Sequence, residues 1–477
     1  MQLFVGREKE LAYLQDAFSS KKSEFVAIYG RRRVGKTFLI RHAFKNDFAF
    51  QVTALANASM KQQLTNFNLA LGKQFQVNEF MPASNWLEGF SLLSSFLERQ
   101  EGRKVVFIDE LPWFDTRNSN FVQGLEHYWN SWASARNDIL LIVCGPATSW
   151  MTSKLINNKG GLHNRITKKI RLEPFKLNEC EKFLQIQNIK LDRYQIVQLY
   201  MSLGGIPFYW NEVSSGLSAM QNIDKICFSE TGLLSNEFNN LYRSVFSNHE
   251  KHLSLIRALA KRSKGLTREE LIKFSGLPNA GSTTRILDEL EESGFIRKYV
   301  PFGRKSRNSL YQLIDFYSHF YLKFVEPNKN ADNTSWLNFI DTPNYRAWTG
   351  YAFEQVCLYH LSQIKQSLGI SGVHTTVSSW RSKISEQGTQ IDLIIDRRDQ
   401  VINLCEMKFS INPFTISKKY AAELRNKIGT FKSETGTRKS VFLTMITTFG
   451  VRKNIYSKGL VHNELMLDDL FNPVFKF

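Results

Sequence analysis

The amino-acid sequence predicts an α/β chain that folds as three modules in succession. A length of 477 residues is more than one hydrophobic core supports, and 43% hydrophobic with 13% aromatic residues is ample for folded cores. Two stretches, residues 25–40 and 350–409, combine β-prone runs with helical spacing. Between them, residues 252–321 show three helical patterns and a hairpin. We therefore expect an α/β module at each end and a mainly helical module between them.

The first module contains a phosphate-binding loop. An apolar run at residues 25–29 precedes the pattern G-x-x-x-x-G-K-T at residues 30–37, and helical spacing follows. This context lets backbone N–H groups turn toward a phosphate at a helix N-terminus. Lys36 is expected to reach the β- and γ-phosphates, and Thr37 to hold Mg²⁺. The predicted ATP-binding residues are Gly30, Arg31, Arg32, Arg33, Val34, Gly35, Lys36, Thr37 and Phe38.

A second nucleotide signal is the run Lys-Val-Val-Phe-Ile-Asp-Glu at residues 104–110. Successive apolar residues suit a buried parallel strand, and the two acids end it at the edge where ligands bind in open α/β sheets. Asp109 is expected to bind ATP-associated Mg²⁺, and Glu110 to polarise the attacking water. After a complete phosphate loop, this pattern predicts ATP hydrolysis.

Another apolar strand is predicted at residues 139–144, followed by Gly-Pro-Ala-Thr-Ser. Thr148 or Ser149 would either sense the γ-phosphate or cap a helix. Arg165 is either an arginine finger that stabilises the transferring phosphate or a surface arginine. The sequence leaves both pairs of alternatives open.

The net charge indicates the kind of binding partner, and the cysteine content indicates the redox state of the compartment. A net charge of +18 and a pI near 9.5 favour a polyanion, DNA above all, although a basic surface kept for solubility is the alternative. Five dispersed cysteines without a C-x-x-C pair favour a reducing cytoplasm without disulfides or a zinc knuckle. We expect neither a signal peptide nor a membrane helix, since no run reaches roughly 18 apolar residues.

The middle module is predicted to be a winged helix. Leu253, Ile256 and Leu259 share one helical face, and Thr267 with Glu270 forms a capping-box pattern at the next helix. A third helix at residues 282–293 precedes two short strands that bracket a basic turn.

This module would contact DNA through its third helix and its basic turn, or else serve as a packing or oligomerisation module. The residues expected to contact DNA are Thr283, Thr284, Arg285, Arg304, Lys305 and Arg307.

The last module carries a carboxylate–lysine pattern. Asp392 and Glu406 are 14 positions apart on two predicted strands, and Lys408 lies two residues after Glu406, on the same strand face. Two carboxylates that bind a divalent ion, with a lysine beside them, suit metal-dependent phosphodiester cleavage. Glu354, on a preceding helix, would complete the metal shell. One alternative is that Glu406 and Lys408 are only a solvated pair on an exposed strand face. Another is a nuclease-like fold that is kept for binding without cleavage.

Five motifs together resemble the archaeal-type ATPases, an AAA+-related group of P-loop NTPases in the signal-transduction ATPase class of archaea and bacteria. They are FVGRE, GRRRVGKT, VVFIDE, IRLEPF and GGIPFY. The resemblance implies an ATPase core at residues 1–175, a helical lid at 176–247, a winged helix at 248–325, and then a nuclease-like domain.

The set G-x-x-F-E, I-D and E-x-K resembles the PD-(D/E)XK nuclease superfamily and matches Asp392, Glu406 and Lys408. It implies a restriction-endonuclease-like α/β domain at residues 346–477, and the Asn-rich composition that precedes this domain predicts a linker at 326–345. The preferred hypothesis is an ATPase that engages DNA, with metal-dependent DNA cleavage in its last domain. The alternative is a nucleotide-gated switch that binds DNA or a protein partner without cleavage, and a homo-oligomer is compatible with both.

Overall fold

The computed structural model describes residues 4–77, 80–146, 148–157, 161–162, 164–246, 248–262, 264–329, 335–382 and 389–474. The chain forms two compact units. The N-terminal unit comprises Met1–Pro174 and Val245–Ser247, and the C-terminal unit comprises Phe175–Ser244 and Asn248–Phe477. No described helix combines the length and apolar character needed to cross a bilayer.

The N-terminal unit is built on a five-stranded parallel sheet in the order β2-β3-β4-β1-β5. Its strands are β1 (Glu24–Gly30), β2 (Phe50–Thr53), β3 (Lys104–Asp109), β4 (Ile139–Gly145) and β5 (Lys168–Leu172). Its helices are α1 (Glu8–Ser19), α2 (Lys36–Ala43), α3 (Met60–Phe75), α4 (Trp86–Glu98), α5 (Phe121–Ser131) and α6 (Thr148–Trp150), after which a π-helical stretch covers Met151–Ile156. Because β4 lies between β1 and β3, the carboxyl ends of these three strands adjoin.

Aromatic packing holds this sheet in place. The central strands β3 and β4 are buried throughout, as their apolar runs predict. Trp86 of α4 lies edge-on to Phe67 and Phe121, with ring centroids 5.5 and 4.8 Å apart. Such pairs add to the large apolar area that each ring buries. The strand ends that carry the nucleotide motifs therefore rest on a closely packed core.

The C-terminal unit begins with a group of helices, α7 (Leu177–Ile186), α8 (Arg193–Leu203), α9 (Pro207–Trp210), α10 (Ala219–Cys227) and α11 (Glu237–Arg243). Gly204 ends α8 with φ at +63°. A Cβ atom added to Gly205 would lie 2.0 Å from the carbonyl oxygen of Phe175, whose N–H donates to the Gly205 carbonyl over 2.6 Å. The paired glycines of the GGIPFY motif thus allow two backbone segments to approach closely.

A hairpin module follows, which we define as residues 249–313. It contains α12 (His249–Ala260), β6 (Leu266–Thr267), α13 (Arg268–Ser275), α14 (Gly281–Glu292), β7 (Ile296–Tyr299) and β8 (Leu310–Leu313). The strands form an antiparallel sheet in the order β6-β8-β7. The capping box of α13 forms as predicted, because the Thr267 N–H donates to Glu270 over 2.8 Å and the Glu270 N–H donates back over 3.2 Å. The two-residue strand β6 was not predicted.

The remaining chain forms a mixed five-stranded sheet in the order β13-β12-β11-β10-β9. Strands β9, β10 and β11 are antiparallel neighbours, whereas β12 and β13 run parallel to β11. The elements are α15 (Phe316–Phe320), which a π-helical stretch over Tyr321–Val325 extends, α16 (Pro343–Tyr359), α17 (Leu361–Ser367), β9 (Thr375–Arg381), β10 (Gln390–Arg397), β11 (Val401–Lys408), α18 (Lys418–Thr435), β12 (Ser440–Thr447) and β13 (Asn463–Met466).

The segment expected to be a linker, residues 326–345, is anchored where the structure describes it. Trp336 is fully buried, and its ring centroid lies 4.9 Å from that of Phe320, 5.0 Å from Phe324 and 5.7 Å from Trp348. The Asn-rich composition predicts a loop, but a single tryptophan buries enough apolar area to fix it. The described part of the expected linker is therefore packed through Trp336, and its role as a boundary between domains stays a prediction.

Candidate functional site

The phosphate loop is shaped by two glycines with positive φ. Gly30 ends β1 with φ at +144°, and a Cβ atom there would lie 2.3 Å from the carbonyl oxygen of Leu172 on β5. Gly35 precedes α2 with φ at +92°. Both positions favour glycine because L side chains rarely adopt this backbone conformation. The strand, loop and helix thus occur where the motif predicts them.

Lys36 begins α2 and points back into its own loop. Its Nζ donates to the carbonyl oxygen of Arg31 over 2.8 Å and to that of Gly30 over 3.2 Å. Burial lowers the pKa of Lys36, and the charges of Asp109 and Glu110 oppose that shift. An ammonium group held by carbonyl oxygens is placed to exchange them for phosphate oxygens.

The predicted magnesium residues of the ATP site are in contact. The Thr37 hydroxyl on α2 donates to Asp109 Oδ2 at the end of β3 over 2.9 Å. The other carboxylate oxygen accepts from the Glu110 N–H over 2.9 Å and from the Cys144 thiol over 2.6 Å. A hydroxyl and a carboxylate oxygen are suitable donors for Mg²⁺. This donor set therefore fits the ion.

No sequence motif assigns a role to Cys144. It ends the apolar run of β4, and burial raises the pKa of its thiol well above the usual range. One signal could have identified Cys144. It is a polar atom in an apolar strand that lies between the two strands carrying the nucleotide motifs. The thiol orients Asp109 as a neutral donor.

Glu110 follows β3 in a left-handed conformation with φ at +54° and is half-buried. Burial and the charge of Asp109 raise the pKa of Glu110, while Lys36 and Arg32 oppose the shift. Its carboxyl group is thus electrostatically coupled to the loop lysine and to the magnesium residues.

The other predicted residues of this site differ in exposure. Arg32 and Arg165 are exposed, whereas Val34 is buried, and the half-buried ones are Arg31, Arg33, Phe38 and Ser149. The side chain of Thr148 lies outside the described residues. The assignments of Arg165 as a finger and of Ser149 or Thr148 as a sensor stay predictions.

A second candidate site is a cavity of about 670 Å³ in the C-terminal unit. Its lining includes all four residues of the predicted nuclease set: Glu354 of α16, Asp392 of β10, and Glu406 and Lys408 of β11. The antiparallel pair Leu393–Cys405 brings Asp392 and Glu406 to neighbouring positions, and Asp392 lies where the β9–β10 register shifts. We call this space the carboxylate cavity.

Glu406 is the most tightly held acid of the cavity. It accepts from the Tyr420 hydroxyl over 2.6 Å, from Lys427 over 2.9 Å and from Lys408 over 3.0 Å. Burial alone would raise the pKa of Glu406, but the two lysines and the tyrosine outweigh it and lower the pKa to about 2.

The other two acids have shifts of the opposite sign. Burial, then the charges of Asp392 and Glu406, raise the pKa of Glu354 to about 8. Burial and Glu406 likewise raise the pKa of Asp392. The cavity thus gathers carboxyl groups that repel one another in a poorly solvated space.

The donor atoms around Asp392 fit a magnesium ion. The Gln390 amide donates to Asp392, and the buried side-chain oxygen of Gln390 has no hydrogen-bond partner in the described part of the chain. Protein-bound Mg²⁺ commonly takes one or two carboxylates, with water and substrate phosphate completing its shell. However, the described residues contain no group of three His, Cys, Asp or Glu side chains that could hold one metal ion. The structure therefore does not support Glu354 as a third ligand.

The hairpin module supplies another wall of the cavity, with Lys264, Arg297, Tyr299 and Gln312. These residues are about 80 to 145 positions from Asp392 and Glu406 in the sequence, and no sequence motif connects them. These four residues were therefore not predicted.

The residues of the hairpin module that were predicted to contact DNA are not all accessible. Thr283 is buried, and its hydroxyl donates to the Pro278 carbonyl over 2.7 Å. It shares a helix face with Ile286, Leu287 and Leu290, all buried. Its assignment as a DNA contact was therefore wrong. The residues that remain exposed are Thr284, Arg285, Arg304, Lys305 and Arg307.

Comparison with known proteins identifies the first part of the chain. Residues 4–213 match the family described as an ATPase domain predominantly from Archaea. An uncharacterized protein of Methanocaldococcus jannaschii is 24% identical over 411 residues, which is 85% of this chain and 88% of that protein. An uncharacterized ATP-binding protein of the same organism is 43% identical over 44 residues, which is 9% of this chain and 75% of that protein.

Among solved structures, the Walker-type ATPase of Pyrococcus abyssi aligns with 67% of this chain and 96% of its own, at 16% identity and a TM-score of 0.48. The family match begins at the FVGRE motif and ends just after GGIPFY. It confirms the resemblance for this segment. Residues 4–213 carry a P-loop ATPase domain of this archaeal family.

Proposed function

We propose that this chain binds and hydrolyses ATP, and that its nucleotide state controls how the C-terminal unit engages and cleaves DNA. The observation that carries the proposal is the contact between Thr37 and Asp109 beside Lys36, because it joins the two nucleotide motifs in one site. Cleavage is the further step of the proposal, and the carboxylate cavity supports it.

In the ATP site, Lys36 binds the β- and γ-phosphates, and Thr37 and Asp109 hold Mg²⁺. The ion neutralises charge that develops on the phosphate oxygens. Glu110 orients the attacking water. Arg165 is exposed and is available to a nucleotide bound by a neighbouring copy of the chain.

The proposed nuclease is the restriction-endonuclease-like domain expected at residues 346–477. Helix α16 precedes the antiparallel strands β9 to β11, and α18 lies in the chain between the parallel pair β11 and β12. Asp392 and Glu406 hold the divalent ion, which activates water and screens negative charge. Lys408 orients the attacking oxygen and is itself positioned by Glu406 at 3.0 Å.

DNA engagement is supported by charge and by the hairpin module, which we propose is a winged helix. The whole chain carries a net charge of +18. The turn between β7 and β8 exposes Arg304, Lys305 and Arg307, and α14 exposes Thr284 and Arg285. Cations of this kind bind phosphates and fix the position of a protein on DNA.

An ATPase assay with and without duplex DNA tests the first half of the proposal. Lys36→Ala should lower ATP affinity by at least about tenfold, since it removes a charged phosphate ligand. Arg41→Ala is the matched control, because Arg41 is exposed on the same helix. Wild-type turnover should rise with DNA. Unchanged ATP binding in Lys36→Ala would reject the site, and DNA-independent turnover would favour the nucleotide-gated switch.

A plasmid-nicking assay with Mg²⁺ or Mn²⁺ tests the second half. The wild type should nick DNA, and Asp392→Ala should not, because that carboxylate holds the ion. Asp399→Ala is the control, since Asp399 is exposed in the turn after β10. Cleavage that persists in Asp392→Ala, or is absent from the wild type, would contradict the nuclease.

A further inference from the structure

The carboxylate cavity is lined by basic residues, which we call its basic wall, as well as by acidic ones. Besides the acids of α16, β10 and β11, it is lined by Lys264, which precedes β6, and by Arg297 and Tyr299 of β7. All of these residues belong to the C-terminal unit. The hairpin module therefore forms part of the cavity itself.

Specific contacts fix this wall to the sheet that carries the acids. The Phe302 N–H, just after β7, donates to the Ser379 carbonyl of β9 over 2.7 Å. The Phe302 ring lies 5.3 Å from the ring of Phe431 on α18. The Tyr351 hydroxyl of α16 donates to the Leu313 carbonyl of β8 over 3.0 Å. These contacts hold the basic wall in a fixed position beside the acids.

Arg297 is the arginine of this wall, and its guanidinium lies 5.0 Å from the ring centroid of Tyr299. Its Nε and Nη2 donate to one acceptor, Gln312 Oε1, over 2.9 and 2.5 Å. In the described part of the chain, its Nη1 has no hydrogen bond and its guanidinium makes no salt bridge. The half-buried Arg297 is therefore oriented by Gln312 while retaining donors for an anion.

Lys264 extends the same positive surface. It is exposed, lines the cavity, and makes no salt bridge with a described carboxylate. Its backbone carbonyl accepts from the Tyr299 hydroxyl over 3.1 Å, which ties it to β7. The charges of both cations interact with those of Glu354 and Asp392 without forming a salt bridge in the described part of the chain. Cations and acids therefore line one space, the arrangement that a phosphodiester between a cation wall and a metal site needs.

We propose that Arg297 and Lys264 form the phosphate-binding half of the carboxylate cavity, which accepts a single DNA strand or a single-stranded end. This inference rests on the proposed nuclease function and names its substrate class. Arg297 holds the non-bridging oxygens of the bound phosphodiester, and Gln312 positions Arg297.

The size and lining of the cavity favour a single strand over continuous duplex. A cavity of about 670 Å³ is of the size that takes a small ligand, and walls from two modules bound it. Tyr299 and Tyr351 place aromatic side chains in the lining, with the Arg297 guanidinium 5.0 Å from the Tyr299 ring centroid and the His319 ring centroid 4.6 Å from that of Tyr351. Basic grooves with aromatic side chains are the usual binding sites for single strands, in which every base can stack.

The test measures binding of the full chain to a fluorescent oligothymidylate of about 12 nucleotides and to a duplex of the same length. Ca²⁺ replaces Mg²⁺ so that binding is read by anisotropy without cleavage. Arg297→Gln should weaken single-strand binding about tenfold, because it removes a charged phosphate ligand. Arg297→Lys should restore part of this loss, since it restores the charge but not the planar fork.

Two further variants guard against a folding artefact. Lys264→Gln changes an exposed side chain and should weaken single-strand binding by about threefold or more. Lys298→Gln is the matched control, because Lys298 is exposed on the same strand as Arg297 but does not line the cavity. It should leave single-strand binding within about twofold of the wild type.

Wild-type affinity in both Arg297→Gln and Lys264→Gln would overturn the inference, as would a wild-type preference for duplex at this site. If the wild type nicks DNA through Asp392 and Arg297→Gln nicks and binds equally well, the inference fails while the nuclease stands. If single-strand binding depends on Arg297 and Lys264 but no nicking occurs, the binding site stands and the nuclease fails.

Discussion

Replacing Gly30 with alanine should destabilise the N-terminal unit for two reasons, backbone strain and a steric clash of the added Cβ atom. The backbone φ of +144° is one that L side chains rarely adopt. The new Cβ atom would also lie 2.3 Å from the Leu172 carbonyl oxygen of β5. Because that oxygen belongs to the backbone of a paired strand, the clash is relieved only by moving β5 away from β1.

The two costs can be added approximately. Strain at an unusual φ costs about 1–3 kcal/mol. Moving β5 by about 1 Å would weaken one or two ladder hydrogen bonds, each worth about 1 kcal/mol. We therefore expect Gly30→Ala to lower the free energy of unfolding by about 2–5 kcal/mol.

Gly35→Ala is the matched control in the same loop. Its φ is +92°, but no atom lies within 4 Å of the added Cβ. It should therefore lose only about 1–2 kcal/mol from the left-handed backbone. Both variants alter the phosphate loop, so both should weaken ATP binding, and stability is the property that separates them.

Hydrogen–deuterium exchange of β1 and β5 peptides across a urea titration measures the stability of this unit by itself. Gly30→Ala should open β1 and β5 at a lower urea concentration than Gly35→Ala. Equal midpoints for the two variants would refute the reasoning, since they would show that the contact with Leu172 contributes nothing.

Two further substitutions test contacts elsewhere in the chain. Gly205→Ala should lower the stability of the C-terminal unit by about 2–4 kcal/mol, because its Cβ would lie 2.0 Å from the Phe175 carbonyl oxygen; an unchanged urea midpoint would contradict this. Asp138→Asn should destabilise the N-terminal unit by about 2–4 kcal/mol, because Arg136 and the buried Lys104 lose their carboxylate. Hydrogen bonds from Arg136 and Lys104 lower the pKa of Asp138, so this stabilisation is present above the ordinary aspartate pKa and is lost as the pH falls below it. The difference between wild type and Asp138→Asn should therefore shrink in acid, and a constant difference would contradict the reasoning.

Local signals predicted the parts of the fold that depend on local chemistry. The capping box at Thr267 and the phosphate loop from Gly30 to Thr37 are read directly from residue type and spacing. The face shared by Glu406 and Lys408 follows from the two-residue period of a strand. In each case the residues that determine the structure lie within a few positions of one another.

Features that depend on distant packing were not predicted. Thr283 lies near the start of α14, the helix expected to contact DNA, but the rotation of α14 against its neighbours places it in the core. Trp336 occurs in an Asn-rich segment, yet aromatic partners on α15 and α16 anchor it. Arg297 and Gln312 line the carboxylate cavity because contacts such as those of Phe302 with β9 and of Tyr351 with β8 hold the hairpin there. Sequence spacing carries no information about such long-range contacts.

FVGRE and GGIPFY, the motifs at the two ends of the ATPase family match, both contact the short segment IRLEPF. Arg7, of the FVGRE motif, is buried and donates through Nη2 to the Glu173 carbonyl over 2.7 Å, within the N-terminal unit. Phe175, two residues later, hydrogen-bonds with Gly205 of the GGIPFY motif within the C-terminal unit. IRLEPF contains both Glu173 and Phe175, so each flanking motif has a backbone partner in it. These motifs therefore constrain the segment where the chain passes from one unit to the other, independently of any contact with nucleotide.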